Sequence, residues 1–397
     1  ANARETIRDE IASLSNRLPK YKRLMSYQIQ ADPLMRTTTR KIKRLELKKL
    51  VESGHLTSSE TNVATAEPGP EDKALLESAI GQEVLHCLRE NYRRDTPVTP
   101  NMNLELDLGF DSMERVEFIA DLEQRLNLKL PEDFGAEIFT LRDLILRLEQ
   151  EAGVAPRAGA AVRQSWKKIL EAEPQEQEKQ FPYVSGTAMS LAKYACSRAI
   201  YYLFFRTLLR METRGLENLP LKGPYLVCPN HQSYLDPLVL ASVLPFSVFR
   251  RMFFVGYSLF FTSRIMKLVA RLTNIVPVDP DAHLLHAMKA GAAGLRDGYI
   301  LCIFPEGGRS FDGTLQPFKK GAAILSRELS APVIPTAIGG TYEVWPRDSI
   351  RIRPHKVTIT FGKPIMPEET GDADPYRSDT DRLWNAIAGL MQKQDKD

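Results

Sequence analysis

The chain has 397 residues and a mass of 44.8 kDa. This exceeds a typical domain of about 100–200 residues, so we expect two or three domains. Hydrophobic residues make up 43% and charged residues 26% of the chain, which excludes a wholly disordered or fibrous protein. The four cysteines lie far apart without a C-x-x-C pair. Their spacing excludes a disulfide scaffold and a zinc ribbon and fits a reducing compartment.

The net charge of +3 is unevenly distributed. Residues 1–60 carry 13 Lys/Arg against 7 Asp/Glu, residues 71–150 carry 9 against 18, and residues 151–397 carry 31 against 24. An acidic middle between two basic ends predicts three separately built modules. The acidic module could dock on a basic partner, but well-solvated surfaces would explain the same charges.

Two stretches without apolar periodicity divide the chain. Residues 53–70 are small, polar and proline-bearing and predict a flexible linker. Residues 152–180 begin with an Ala/Gly-rich run and predict a second linker, unless the alanines extend the preceding helix. The division leaves an N-terminal piece (1–52), a middle domain (71–151) and a C-terminal domain (181–397). The chain starts without an initiator Met or a signal-peptide core, so we expect a piece of a longer polypeptide.

Basic residues dominate the N-terminal piece, which contains LPKYK (18–22) and TTTRKIKR (37–44). By residue type alone they predict a basic hairpin-like segment and a helix, with nucleic acid or anionic lipid as partners. Aromatic residues are sparse, so we predict no nucleic-acid binding. The piece resembles the C-terminal tail of acyl-adenylate-forming (AMP-binding) ligases, in which Lys41 matches the lysine that reaches the adenylate, although Arg40 replaces the usual glycine. Because no adenylation core is present, the resemblance implies a small α+β remnant of an upstream ligase domain.

The middle domain has the pattern of an all-helical fold. Apolar spacing predicts one helix over about 72–91, a second beginning at Asp111 and Ser112, and a last one over 141–148 behind the capping residue Thr140. Taken alone, the Asp-Ser pair indicates a helix cap. A hydroxyl in the first turn also suits a phosphate modification, because free N–H groups and the positive end of the helix dipole lie there.

The surroundings of Ser112 favour the modification. An acidic helical segment in which LGFDS (108–112) opens an acidic amphipathic helix resembles an acyl carrier protein, an all-α four-helix bundle. The resemblance implies that Ser112 carries covalent 4′-phosphopantetheine, attached by a phosphopantetheinyl transferase, with an acyl group held on its thiol as a thioester. It also implies a docking face on the second helix, formed by Glu114, Glu117, Asp121 and Glu123.

The C-terminal domain alternates β-rich runs with helical segments, which is typical of an α/β fold. These runs are YLVC (225–228), ILCIF (300–304), VIPTAI (333–338) and KVTITF (356–361). NHQSYLD (230–236) follows the first run directly. Asp236 lies five positions after His231, so its carboxylate can accept the Nδ1–H of the ring and leave Nε2 as a base. For the motif alone, a loop histidine bonded to its neighbour is an equally good interpretation.

A second polar loop follows the run at 300–304. The residues of FPEGGRS (304–310) lie at the C-terminal end of a strand, where ligands gather in open α/β sheets. Glycine lets backbone N–H groups approach an anion, and Arg309 can hold a phosphate through two nitrogens. A tight turn with a structural ion pair would explain the loop equally well.

Together with VIPT (333–336), the two motifs resemble the PlsC-type glycerolipid acyltransferase family over roughly 190–365. The resemblance implies acyl transfer from a thioester, on an acyl carrier protein or CoA, to a lysophospholipid hydroxyl. His231 would be the general base and Asp236 its orienting partner. The substrate-binding loop would consist of Glu306, Gly307, Gly308, Arg309 and Ser310, with Glu306 orienting the donor or the acceptor hydroxyls.

One position departs from the family pattern. Asp279 stands near the place where many members have an arginine that helps to hold the acceptor phosphate. In this respect the chain is more similar to the transferase part of enzymes fused to acyl-carrier-protein synthetases. The acceptor headgroup is left open, and Arg271 or Lys267 could supply the positive charge.

Membrane contact is predicted without a membrane span. The longest uncharged apolar stretch, 237–249, has 13 residues, fewer than the roughly 18 that a spanning helix needs. Residues 190–212 and 245–271 mix aromatic and aliphatic side chains with Lys and Arg, which suits the bilayer interface. Helices that cover a sheet would have the same composition. We expect a cytoplasmic protein, peripheral on the inner face of the membrane.

Three further residues of reactive types are interpreted as having structural rather than catalytic roles. Cys228 falls inside an apolar run, where inert burial is expected, and His283 and His286 read as ordinary helix residues. We predict no metal site. One rival function is an acyl-carrier delivery module of a larger ligase system, in which the C-terminal domain only binds membrane. Another is an adenylating synthetase, which the missing nucleotide loop argues against.

Overall fold

The computed structural model describes residues 3–16, 24, 27, 69–92, 98–110, 112–128, 130–131, 134, 138–154, 166–171, 187–257, 274–278, 284–347, 349, 351–368 and 374–394. The chain forms two compact units, Ala1–Arg163 and Gln164–Asp397. Several residues singled out in the sequence lie outside the described ones: Arg40, Lys41, Asp111, Lys267, Arg271, Asp279 and His283.

The described part of the first unit is helical. Its helices are α1 (Ala3–Asn16), α2 (Pro70–Glu77), α3 (Ala79–Tyr92), α4 (Ser112–Arg125) and α5 (Leu141–Val154). Helices α2 to α5 share one apolar core, in which the rings of Phe110 and Phe118 stack with their centroids 5.0 Å apart. Phe110 belongs to the loop before α4, so this loop is anchored in the core directly before Ser112.

Two helices of this unit differ from the sequence-based expectation. The single helix predicted over 72–91 is wrong, because the chain is extended at Ser78 (φ −60°, ψ 154°) and forms two helices there. The Ser78 hydroxyl accepts a hydrogen bond from the Gly81 N–H at 3.1 Å, so it caps the start of α3. Helix α5 runs to Val154 and extends six residues beyond the predicted end.

Helix α1, which the sequence interpretation missed, is tied to the loop before α4. The Arg8 guanidinium donates to both carboxylate oxygens of Asp107, at 3.2 Å and 2.6 Å, and to the Asn101 carbonyl at 3.1 Å. The N-terminal helix is therefore joined to the middle domain in one unit. Ile7, Ile11 and Leu14 lie at helical spacing and were the available signal.

The second unit is built on a seven-stranded mixed sheet, which agrees with the predicted α/β class. Its strands are β1 (Glu212–Arg214), β2 (Tyr225–Pro229), β3 (Met252–Tyr257), β4 (Ile275–Val278), β5 (Ile300–Cys302), β6 (Val333–Gly339) and β7 (Thr358–Phe361). The order is β1-β7-β6-β2-β5-β3-β4, and neighbouring strands are parallel except for the antiparallel pair β6 and β7.

Helices cover this sheet. They are α6 (Trp166–Glu171), α7 (Thr187–Ile200), α8 (Asp236–Val243), α9 (Phe246–Phe249), α10 (Leu284–Arg296), α11 (Gly321–Glu328), α12 (Thr341–Val344) and α13 (Pro375–Gln394). Helix α7 continues through a π turn (Tyr201–Phe205) into Arg206–Leu208. Helix α6 lies inside the predicted linker 152–180, and its buried Trp166 and Leu170 explain why it packs on this unit.

The strand order brings three loops to one edge of the sheet. Strand β2 lies between β5 and β6 and is parallel to both, so the residues that follow these three strands meet at their carboxyl ends. All residues of β2 are buried, as expected for a central strand. The loops concerned are 230–235, 303–310 and 340–341.

The predicted cap at Thr140 can be tested by mutation. The Thr140 hydroxyl accepts from the Asp143 N–H at 3.1 Å, and the Asp143 carboxylate accepts from the Thr140 N–H at 3.0 Å, which is a capping box. We expect Thr140→Ala to lower the unfolding free energy of the first unit by about 1 kcal/mol. Thr140→Ser retains the hydroxyl and is the control in urea titrations. Equal stability of Thr140→Ala and the wild type would contradict the cap.

Candidate active site

Hydrogen bonds directly join the two polar motifs that were predicted from the sequence. His231 follows β2, and the loop 303–310 follows the adjacent parallel strand β5. The His231 N–H donates to Oε1 of Glu306 at 2.6 Å. The Ser310 N–H donates to the His231 carbonyl at 2.8 Å. Two residues that lie 75 and 79 positions further along the chain therefore hold the histidine backbone from both sides.

His231 and Asp236 form the predicted side-chain pair. Nδ1 of His231 lies 2.8 Å from Oδ2 of Asp236. Because the carboxylate can only accept, Nδ1 carries the proton and Nε2 keeps its lone pair. The ring stacks on Phe304, with centroids 4.1 Å apart. Among the described residues Nε2 has no hydrogen-bond partner, and the side chain is 18% exposed. The imidazole is thus oriented by the protein with its basic nitrogen available to a substrate.

The Asp236 carboxylate is fully buried and receives three further hydrogen bonds. Oδ2 accepts from the N–H groups of Gln232 at 2.6 Å and Ser233 at 2.8 Å. Oδ1 accepts from the Thr341 hydroxyl at 2.6 Å. Asp236 is also the first residue of α8, where the helix dipole favours a negative charge. These donors compensate the ionised carboxylate for the loss of water.

Thr341 is a site residue that the sequence interpretation missed. It begins α12 directly after Gly340, whose backbone is left-handed (φ +86°) and where a Cβ atom would collide with the Lys356 carbonyl. Asn230 adds a second link to β6: its side-chain amide donates to the Ile338 carbonyl at 2.9 Å and accepts from the Ile338 N–H at 2.7 Å. The end of β6 therefore positions the histidine motif. The Gly-Gly pair before Thr341 was the one signal of a special turn.

Glu306 faces the protein interior. Its Oε1 accepts from the His231 N–H and its Oε2 from the Gln316 N–H at 3.1 Å. Burial raises the pKa of this carboxyl to about 7, although both hydrogen bonds act in the opposite direction. Both oxygens are engaged by backbone groups, so this geometry favours a role in holding the two loops together. The expected contact of Glu306 with donor or acceptor hydroxyls stays a prediction.

Positive charge lies beside the glycine turn of the second motif. The Arg309 guanidinium stacks on Tyr234, with Cζ 3.5 Å from the ring centroid. Gly307 is left-handed (φ +69°), and a Cβ atom there would lie 2.9 Å from Cε of Lys319, while Gly308 faces open space. The two basic side chains and the open turn can hold an anion. Lys319 was not identified from the sequence.

Ser310 is buried, and its polar groups form hydrogen bonds within the protein. Its hydroxyl donates to the Thr314 carbonyl at 2.8 Å, and its backbone N–H holds His231. The Arg309 carbonyl accepts from Nη1 of Arg347 at 3.0 Å. These bonds fix the end of the loop, so the arrangement favours Ser310 as a support of the site. Direct contact of Ser310 with substrate stays a prediction.

Ser112 lies at the position expected for an attachment residue. It is the first residue of the 14-residue helix α4, and the loop before it contains buried Leu108 and Phe110 around left-handed Gly109 (φ +63°). Two apolar anchors thus hold the chain just before a helix N-terminus, where N–H groups and the helix dipole favour a phosphate. The backbone at Ser112 fits a phosphate-linked group.

The two buried cysteines of the sheet, Cys228 and Cys302, have structural surroundings. Burial raises the pKa of both the Cys228 and the Cys302 thiols, so neither is suited to nucleophilic attack at neutral pH. His286 lies in α10. Within the described ranges, no group of three or more His, Cys, Asp or Glu side chains is arranged to hold a metal ion.

Comparison with known proteins gives two matches to family models. Residues 210–339 match the model described as Acyltransferase, and residues 82–148 match the one described as Phosphopantetheine attachment site. The chain contains an acyltransferase domain and a phosphopantetheine-attachment domain. The second compact unit of the chain is therefore called the transferase unit. Residues 69–154, which form part of the first compact unit, are called the carrier unit. Neither family model extends to residues 1–52, so the likeness of this piece to a ligase tail stays a prediction.

Curated relatives resemble the transferase unit. The chloroplastic 1-acyl-sn-glycerol-3-phosphate acyltransferase BAT2 of Brassica napus is 32% identical over 180 residues, which cover 44% of this chain and 49% of the relative. The chloroplastic 1-acyl-sn-glycerol-3-phosphate acyltransferase LPAT1 of Arabidopsis thaliana is 31% identical over 189 residues, which cover 46% and 50%. The chain spans about half the length of these relatives.

A solved structure was also found. The crystal structure of the 1-acyl-sn-glycerophosphate (LPA) acyltransferase PlsC from Thermotoga maritima is 22% identical with a TM-score of 0.43. The match covers 55% of this chain and 83% of that chain.

Thr341 can be tested as a positioning residue. Thr341→Val keeps the shape and removes the donor to Asp236, which leaves a buried carboxylate oxygen without its hydrogen bond. A lost bond to a charged group costs about 1.5–3 kcal/mol, so we expect kcat for acyl transfer to fall about tenfold or more while the acceptor KM stays constant. Thr341→Ser retains the hydroxyl and should restore most of kcat. Equal kcat for the Val and Ser variants would contradict the role.

The raised pKa of Glu306 predicts a pH-dependent stability. A carboxyl whose pKa is higher in the folded than in the unfolded state stabilises the fold at low pH, and this contribution is lost as pH rises to the folded pKa. Relative to Glu306→Gln, the wild-type transferase unit should therefore lose up to about 3 kcal/mol of unfolding free energy between about pH 4.5 and about pH 7. Denaturant titrations across this range measure it.

The control for this experiment is Glu343→Gln, which alters an exposed carboxyl on α12. It should leave the pH dependence of stability as in the wild type. A constant difference between the wild type and Glu306→Gln across the pH range would contradict the raised pKa.

Proposed function

We propose that the transferase unit moves a fatty acyl group from a thioester to the hydroxyl of a lysophospholipid. The observation that carries this proposal is the His231–Asp236 pair, together with the hydrogen bonds that join the His231 backbone to Glu306 and Ser310 on either side of the glycine turn and Arg309. The similarity to 1-acyl-sn-glycerol-3-phosphate acyltransferases supports a glycerolipid acceptor. Lysophosphatidic acid and other lysophospholipids carry the same reacting groups, a free hydroxyl and a phosphate.

His231 acts as the general base in this proposal. Nε2 removes the proton from the acceptor hydroxyl while the hydroxyl oxygen attacks the thioester carbonyl carbon. The new C–O bond replaces the C–S bond, and the proton passes from Nε2 to the departing thiolate. Asp236 keeps Nδ1 protonated and stabilises the imidazolium that forms between the two proton transfers. Its own four hydrogen bonds keep the carboxylate from rotating as the ring becomes charged.

The acceptor phosphate binds at the second motif. Arg309, Lys319 and the backbone N–H groups near Gly307 and Gly308 supply positive charge in the loop that is hydrogen-bonded to the His231 backbone. Glu306 and Ser310 hold this loop in place through their hydrogen bonds to the His231 backbone. Binding the phosphate there would bring a glycerol hydroxyl towards Nε2, so the loop would fix both the substrate and its orientation.

The donor is the acyl-loaded carrier unit, with CoA thioesters as the other possible donor. Ser112 would hold 4′-phosphopantetheine, which supplies a thiol that carries the acyl group as a thioester. A phosphopantetheinyl transferase would attach this group, and an upstream adenylating ligase domain would load it. The carrier and transferase units belong to one chain, and such tethering raises the effective donor concentration to the millimolar range.

Peripheral contact with the inner face of the membrane completes the proposal. Among the described residues, no helix is both long and apolar enough to cross a bilayer. Helix α7 and the turns after it nevertheless expose large apolar side chains, among them Met189, Leu191, Leu203, Phe204 and Leu208. Basic residues are interspersed with them, such as Arg206 and Arg210. Such surfaces suit the interface between lipid phosphates and acyl chains.

The catalytic proposal is tested with His231→Ala. Removing a general base should lower kcat for lysophospholipid acylation by about 10²–10⁴-fold, because the hydroxyl loses its proton acceptor. His86→Ala, on the exposed surface of the carrier unit, is the matched control and should act as the wild type. Unchanged acylation by His231→Ala would support the rival function, in which the transferase unit only delivers the carrier to membranes.

The donor proposal is tested with Ser112→Ala. Intact-mass analysis after treatment with a phosphopantetheinyl transferase should show the added group on the wild type and on His86→Ala, and none on Ser112→Ala. Acyl transfer from the loaded carrier to a panel of lysolipids should be lost with Ser112→Ala, while transfer from acyl-CoA continues. Modification of the Ser112→Ala chain would contradict the assignment.

A further inference from the structure

A basic loop borders the candidate active site. It includes the described residues 345–347, 349 and 351–356, between α12 and β7, and the Arg353 N–H closes its base by donating to the Val344 carbonyl at 2.8 Å. Arg351, Ile352 and Arg353 are all exposed, and Ile352 is 57% accessible. Among the described residues the guanidinium groups of Arg351 and Arg353 have no hydrogen-bond or ion-pair partner. The loop thus presents two cations around an exposed apolar side chain.

The start of this basic loop is attached to the histidine motif. The Ser233 hydroxyl donates to the Trp345 carbonyl at 2.9 Å, and the rings of Tyr234 and Trp345 lie 5.6 Å apart. Arg347 donates to the Arg309 carbonyl. The loop is therefore an immediate neighbour of both polar motifs of the site.

The other end of the basic loop is bonded to the segment that directly follows an exposed apolar ridge. We define this ridge as Leu203, Phe204 and Leu208, which are 68%, 55% and 50% exposed. The Val357 N–H donates to the Leu209 carbonyl at 3.0 Å, and Nζ of Lys356 lies 2.9 Å from Oε1 of Glu212. The ridge, the basic loop and the site consequently follow one another along the carboxyl edge of the sheet.

We propose that the basic loop and the apolar ridge together dock on an anionic bilayer, with the active-site opening facing the lipid surface. The proposal rests on the proposed function and adds the orientation of the enzyme. Arg351 and Arg353 meet lipid phosphates, while Ile352 and the ridge enter the region below the headgroups. A lysolipid would then reach His231 by moving only a short distance out of the membrane.

The acidic face of an acyl carrier is the competing partner for a basic loop. Charge would suit that partner equally well, because α4 has acidic residues at Glu114 and Glu117. The exposed apolar side chains decide in favour of the bilayer. A membrane buries Ile352 and the ridge at once, whereas ionic attraction to a carboxylate-rich helix gives no reason for large apolar side chains beside the cations.

The test uses the full chain with vesicles of phosphatidylcholine alone or mixed equally with phosphatidylglycerol. The double variant Arg351→Gln/Arg353→Gln should bind the anionic vesicles about thirty-fold more weakly, equivalent to about 1 kcal/mol for each basic residue. The control Lys222→Gln/Arg296→Gln removes two exposed charges before β2 and β5, at the opposite end of the sheet. It should bind as the wild type. Equal binding by both double variants would overturn the proposal.

A second variant tests the apolar part. Leu203→Ser/Leu208→Ser should weaken binding to both kinds of vesicle, and added salt should weaken the wild type on anionic vesicles only. Thermal unfolding of each variant at the wild-type midpoint verifies that the fold is intact. Undiminished binding of this variant would overturn the insertion of the ridge.

Acylation assays separate this proposal from the proposed function. Arg351→Gln/Arg353→Gln should lose activity towards lysolipid in anionic vesicles, in proportion to its lost binding, but not towards a short-chain lysolipid dissolved as monomers with acyl-CoA as donor. A loss seen only when the loaded carrier is the donor would assign the loop to the carrier and overturn the membrane proposal. Failure of the wild type on every acceptor would instead contradict the proposed function.

Discussion

The buried carboxylate of Asp236 is the constraint on which the site depends. An ionised carboxylate without water is stable only when donors surround it, and this one needs the ring of His231, two backbone N–H groups of its own turn and the Thr341 hydroxyl. The turn after β2 and the turn after β6 must therefore hold fixed positions relative to each other. The same requirement fixes the imidazole, because its Nδ1–H is one of the donors.

A second carboxylate extends this constraint to the loop 303–310. Glu306 spans the His231 and Gln316 backbones, and its raised pKa shows that burying the group is costly despite both bonds. A neutral side chain would avoid that cost but could not accept two N–H groups with separate oxygens. The buried Glu306 carboxylate thus fixes the position of the loop at a cost to the stability of the fold, as is often found where a site must be preorganised.

The sequence predicted the residues whose roles depend on short spacing and could not predict those supplied by tertiary contacts. His231 and Asp236 share one turn, and Thr140 stands directly before the helix that it caps, so local geometry was sufficient for both predictions. Thr341 lies 105 positions after Asp236, and nothing in its neighbourhood except the glycine pair indicates a bond to it. The sequence analysis also missed the inward direction of Glu306 and the break between helices at Ser78. A pattern of apolar and polar residues does not specify which backbone group a side chain will contact.

Among the described strands, the antiparallel pair β6 and β7 explains why the basic loop borders the site and why the apolar ridge ends near the same edge of the sheet. A parallel connection after β6 would carry the chain back across the sheet to its amino-terminal end. Because β7 is antiparallel to β6, the chain instead turns at the carboxyl edge and leaves the basic loop beside the histidine motif. Strand β1 is parallel to β7 and so begins at that same edge, which brings the end of the ridge there. One reversal in the sheet therefore gathers the candidate catalytic pair, the cations and the exposed apolar side chains on the side from which a lipid would arrive.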